Sequence, residues 1–91
     1  MPDQGADAVA EMFELRRAFG AAVRDRREAA NLSAARFAKR CRLSKSTINK
    51  IELGHGGDPG LSLILIFCEV FEITSCDLLA GLPAPRERWG G

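Results

Sequence analysis

Apolar residues in the first third of the chain recur at steps of three and four: Met12, Leu15, Phe19, Ala22 and Val23. That period predicts one amphipathic helix from about Ala8 to Ala30, with Asp7 as its N-cap, Asn31 at its end and residues 1–7 disordered ahead of it. Gly20 interrupts the helix at a cost of about 1 kcal/mol against alanine. After Leu32 the pattern restarts twice. Ser33 precedes Phe37, Ala38 and Cys41, and Ser44 precedes Ile48 and Ile51. Two short helices follow, each opened by a serine hydroxyl that accepts an otherwise unpaired backbone N–H, and the second closed by Gly54 in the left-handed conformation. The run LSLILIFCEVF, Leu61 to Phe71, is almost wholly apolar and by itself fits a buried strand as well as a helix. Thr74 then caps a last helix, Ser75 to Ala80, whose Leu78 and Leu79 are expected to close the core. The remainder, with two prolines and terminal glycines, reads as a flexible, irregular tail over residues 82–91 that carries Trp89. The domain proper is thus placed at residues 8–81.

Composition narrows the class. Ninety-one residues support one domain with a small core, which dimerisation would help. No apolar run reaches the length of about 18 residues needed to cross a membrane, and the acidic N-terminus lacks the basic start of a secretory signal. The net charge is only +1, but its distribution is uneven. Residues 1–14 carry four acids and no base; residues 15–52 carry eleven bases against three acids, a local charge of +8; residues 53–91 carry two bases against five acids. Positive charge concentrated in one segment is the electrostatic signature of a nucleic-acid footprint. Cys41, Cys68 and Cys76 show no C-x-x-C spacing and His55 is the one histidine, so a metal site is disfavoured. Each cysteine falls on an apolar helical position and is expected to pack as a small hydrophobe in a reduced, cytoplasmic protein. With a single histidine and neither clustered carboxylates nor a nucleophile–base pair, the chain offers no basis for an enzyme or a cofactor.

The basic segment has a shape suited to DNA. In the second short helix the outward positions are Lys45, Ser46, Asn49 and Lys50, all hydrogen-bond donors. A helix with an apolar back and a donor-rich front fits the major groove, where lysine favours guanine O6 and N7 and asparagine pairs with adenine. These four are the candidate base-reading residues. Thr47, and the cations Arg36, Lys39, Arg40 and Arg42, are candidate phosphate contacts. The loop Leu53 to Pro59 is glycine-rich but lacks the G-x-x-x-x-G-K-[ST] pattern of a phosphate-cradling loop.

The stretch Leu32 to Gly54, LSAARFAKRCRLSKSTINKIELG, resembles the helix-turn-helix of the phage-repressor (Cro/C1, or XRE) family. The resemblance extends through Phe19-Gly20, Val23 and Arg27 on one side, and through Pro59, Leu61 to Val70, Ile73-Thr74 and Asp77-Leu78-Leu79 on the other, covering roughly Glu14 to Gly81. It implies an all-α, five-helix lambda-repressor-like DNA-binding domain, here with a longer first helix, and it makes Leu61 to Phe71 a helix. Residues 8–14 lie before the usual family start, as a helical extension or as an arm. The resemblance also implies an ion pair between Arg27 and Glu52 that locks the recognition helix, and phosphate contacts from Arg27 and from the cap serines Ser33 and Ser44. Three departures stand out. Ala34 replaces a glutamine that binds phosphate, Arg42 stands in the turn where the family prefers glycine, and Arg26 replaces a leucine, its stem packing while its head reaches solvent.

The function implied is a sequence-specific transcriptional regulator, a dimeric repressor whose paired recognition helices meet an inverted repeat of double-stranded DNA. In the fourth helix Leu63 and Ile66 occupy positions that the family usually keeps polar. With Val70 and Trp89 they are the expected dimer or partner interface, because monomers rarely leave such a patch in water. The alternative is a protein-interaction module, such as the antitoxin of a toxin–antitoxin pair, that engages its partner through the same helix and tail.

Overall fold

The computed structural model describes residues 4–82, with side chains described from Val9 onward. Five helices and no strands occur among them: α1 (Gln4–Ala29), α2 (Ala34–Cys41), α3 (Lys45–Glu52), α4 (Leu61–Phe71) and α5 (Ser75–Leu79). Trp89 lies outside the described residues.

Local hydrogen bonding accounts for the boundaries. Ser33 and Ser44 accept the N–H groups of Arg36 and Thr47, each at 3.1 Å, and Thr74 shares a reciprocal capping box with Asp77. At the other ends, α1, α2, α3 and α4 close in one way. Asn31, Arg42, Gly54 and Glu72 are left-handed. The next residue in each case returns its N–H to a carbonyl five positions back: Leu32 to Arg27, Leu43 to Ala38, His55 to Lys50, Ile73 to Cys68. Gly54 adopts this conformation without steric cost and Asn31 at little, whereas at Arg42 and Glu72 it costs about 1 kcal/mol or more each. Two closing hydrogen bonds, together with Leu32, Leu43 and Ile73 turned onto the core, offset that cost.

The core joins all five helices. Phe19 and Val23 of α1, Phe37, Ala38 and Cys41 of α2, Ile48 of α3, Phe67 and Cys68 of α4 and Leu78 of α5 are buried, with Leu32 between α1 and α2. Four rings form its centre: Phe37 stacks on Phe71 at 4.9 Å and lies 5.3 Å from Phe67, which lies 6.3 Å from Phe19. Burying each such ring stabilises the fold by roughly 1.5–3 kcal/mol.

Several expectations are corrected. Helix α1 begins at Gln4, so residues 4–7 are helical, Asp7 is not its cap, and residues 8–14 extend the helix. The first part of its apolar stripe is not buried: Met12 and Leu15 are exposed, because this part of the helix runs beyond the other four. In α4, Leu63, Ile66 and Val70 are half-buried against the core; the exposed aliphatics are Leu61 (74%) and Leu65 (54%). Leu61 and Leu65 stand one turn apart on the flank away from Phe67, so helical phase decides the sorting. Leu79 is exposed where Leu78 is buried, Cys76 is exposed, and Leu82 packs on the core instead of opening the tail. No described helix is long and apolar enough to cross a membrane.

Candidate nucleic-acid interface

Helix α3 is held from behind and bare in front. Ile48 is fully buried and Ile51 half-buried, whereas Lys45, Ser46, Asn49 and Lys50 are all exposed. Its N-terminus is stiffened because the Ser44 hydroxyl also meets the Thr47 hydroxyl at 2.8 Å, leaving Thr47 half-buried.

Its C-terminus is clamped to α1. The Arg27 guanidinium donates to both carboxylate oxygens of Glu52, Nε to Oε2 at 2.7 Å and Nη2 to Oε1 at 3.0 Å, and its Nη1 donates to the Leu32 carbonyl at 2.8 Å. One side chain thus ties the end of α1, the entry to α2 and the last turn of α3 together. Both partners are largely covered, at 13% and 8% side-chain exposure. The hydrogen bonds to Glu52 raise the Arg27 pKa further above its already high ordinary value, so its charge is permanent. Gly20 allows the close approach: a Cβ there would stand 2.7 Å from the Glu52 carbonyl oxygen and press on that of Ile51.

Arg36 and Lys39 are exposed on the face of α2 opposite Phe37, Ala38 and Cys41. Arg40 is also exposed and borders two hollows beside α4, one shared with Arg42 and Glu69 and the other, against α1, with Glu72. Arg42 is exposed at the left-handed turn between α2 and α3. Ser33 uses an oxygen lone pair on its cap and keeps its O–H for a phosphate, whereas Ser44 and Thr47 use one O–H on each other and leave one between them. Arg26 does not end free in solvent; it donates to the Asp77 carbonyl at 3.3 Å and joins α1 to α5.

One contact near the site escaped sequence reasoning. Arg16 Nε lies 2.7 Å from Asp58 Oδ1 and its guanidinium sits 5.6 Å from the centre of the Phe13 ring. The hydrogen bond from Arg16 holds the Asp58 carboxyl below its usual range. This pair tethers the glycine-rich loop to α1. Forty-two residues separate the partners, and no local pattern signals such a pairing.

A family model described as a helix-turn-helix domain matches residues 18–87. The chain belongs to the helix-turn-helix domain family. Among solved structures it is similar to two crystal structures of the clp gene regulator ClgR from Corynebacterium glutamicum, each 26% identical over 72% of this chain. One match has a TM-score of 0.68 and covers 69% of the other chain; the second has a TM-score of 0.67 and covers 84%. None of the curated proteins matches it. In this helix-turn-helix chain, α2 and α3 are the two helices of the motif, and α3 presents the donor face.

Proposed function

We propose that this chain is a DNA-binding transcriptional regulator, and more specifically a dimeric repressor that recognises an inverted repeat by placing α3 in the major groove. The observation that carries the reading is the exposure of Lys45, Ser46, Asn49 and Lys50 on a helix whose opposite side is anchored by Ile48 and by the Arg27–Glu52 clamp. In this reading those four residues read base edges, with each well-formed pair contributing about 1–3 kcal/mol of discrimination. Arg36, Lys39, Arg40, Arg42, Thr47, Arg27 and the cap serines position the backbone. The regulator role named for ClgR supports the same reading.

The test is a footprint on the DNA upstream of the chain's own gene, with Lys45→Ala/Lys50→Ala as the comparison. Loss of both protection and sequence preference is the expected result. An unchanged footprint would overturn base reading by α3.

A second reading, a protein-interaction module such as an antitoxin, draws on the exposed Leu61 and Leu65 of α4. Co-purification of a partner encoded by a neighbouring gene would favour it.

A further inference from the structure

A hollow of about 210 Å³ lies between α1, α3 and the loop that leads into α4. Its wall is mostly apolar, but three charged side chains line it: Arg16, Asp58 and Lys50. Two cations therefore border one acid. The acid is paired with Arg16, whose Nε lies 2.7 Å from Asp58 Oδ1. Lys50, a candidate base reader on the exposed face of α3, makes no ion pair among the described residues.

The two members of the pair are held very differently. Arg16 rises from the middle of α1, its side chain is only 20% exposed, and the Phe13 ring centre stands 5.6 Å from its guanidinium. Asp58 is 62% exposed and sits between Gly57 and Gly60, where an added Cβ would meet nothing within 4 Å. Packing is thin on this segment, glycine leaves its backbone pliant, and Arg16 supplies the anchor. Without Arg16, the cation that remains for Asp58 across the hollow is the Lys50 ammonium, a compact charge on a flexible four-carbon stem. A lysine engaged by a neighbouring carboxylate has less to offer a base edge, and an acid brought to that face repels phosphate.

We propose that Arg16 is a positioning residue that guards Lys50: by holding Asp58 against α1 it keeps this acid from pairing with the lysine and leaves the ammonium to DNA. The consequence for binding rests on the reading of Lys50 as a base reader; the exchange of partners between Arg16 and Lys50 does not.

Titration of the Asp58 carboxyl by NMR in the full chain tests the exchange without DNA. The carboxyl lies below the usual carboxylate range in the wild type, stays below it in Arg16→Ala because Lys50 takes over, and returns to it only in Arg16→Ala/Lys50→Ala. A full return in Arg16→Ala alone overturns the guard. Circular dichroism confirms folding, and Arg16→Gln, which keeps the stem beside Phe13, replaces the alanine variant if that one unfolds. On the footprinted DNA, Arg16→Ala weakens binding about two- to fivefold, the scale of a screened, exposed ion pair, and costs nothing further in a Lys50→Ala background. Asp58→Asn breaks the same tether but removes the acid, and it binds at least as well as the wild type. Equal losses in Arg16→Ala and Asp58→Asn would reveal a tether that only orders the loop and would overturn the guard. A chain that binds no DNA removes the regulator reading, and the titration alone then decides whether Asp58 passes to Lys50.

Discussion

Arg27 and Glu52 meet through two parallel hydrogen bonds, across 25 residues of sequence, at the junction of α1 with the last turn of α3. Glu52→Ala leaves a largely covered guanidinium with two of its three acceptors gone. We expect a loss of about 2–4 kcal/mol in urea unfolding. Replacing both partners with apolar residues, Arg27→Met/Glu52→Leu, is expected to cost less than the single change, since no charge is then left without its partner. A double variant that costs the sum of two single variants would contradict this account.

Gly20 lies where α1 touches the backbone of α3. Helix propensity favours Gly20→Ala by about 1 kcal/mol. The added methyl, however, meets the carbonyl oxygens of Ile51 and Glu52, which are backbone and cannot swing aside. Overpacking of this kind costs about 1–3 kcal/mol, so the net effect is destabilising and shows as a lower melting temperature. A higher one would mean that the two helices separate more easily than their packing implies.

Arg42 sits at φ 59°. Arg42→Gly removes the steric cost and is expected to stabilise the fold by about 1 kcal/mol, raising the melting temperature by about 4–8 °C. If Arg42 also holds a phosphate, as proposed, the same change lowers DNA affinity and reduces the salt dependence of binding by about one counterion. Opposite signs in the two measurements are the diagnostic result.

Cys41 and Cys76 differ in exposure, and their chemistry follows. Burial pushes the Cys41 thiol up to about 11, so at pH 8 about one molecule in a thousand carries the thiolate there. Cys76 is exposed and Cys68 is buried. Alkylation of the native protein near pH 8 is expected to modify Cys76 first, with Cys41 and Cys68 reacting only on unfolding; peptide mapping after a short pulse of reagent checks the order. Labelling of Cys41 as fast as Cys76 would show that the α2–α4 interface opens readily.

Much of the architecture was legible in the residues alone because its causes are local. A serine or threonine acts on N–H groups two or three positions away, and a helical stripe repeats within one turn, so Ser33, Ser44, Thr74, Phe37 and Ile48 could be placed from their neighbours. The donor face of α3 followed from the same spacing. The relative phase of one helix against another is not local. An α4 that is apolar nearly all round carries no internal mark of which side is covered; packing on α2 and α1 turned Leu63, Ile66 and Val70 inward and left Leu61 and Leu65 in solvent. The stripe of α1 likewise promised burial along its whole length, but the other helices cover only its second half. The Arg16–Asp58 tether belongs to the same class, since its partners share no period and meet only when the loop after α3 returns to α1. Sequence determined the elements and their chemistry. Tertiary structure decided which apolar side chains lost contact with water, because that depends on distances between segments far apart along the chain.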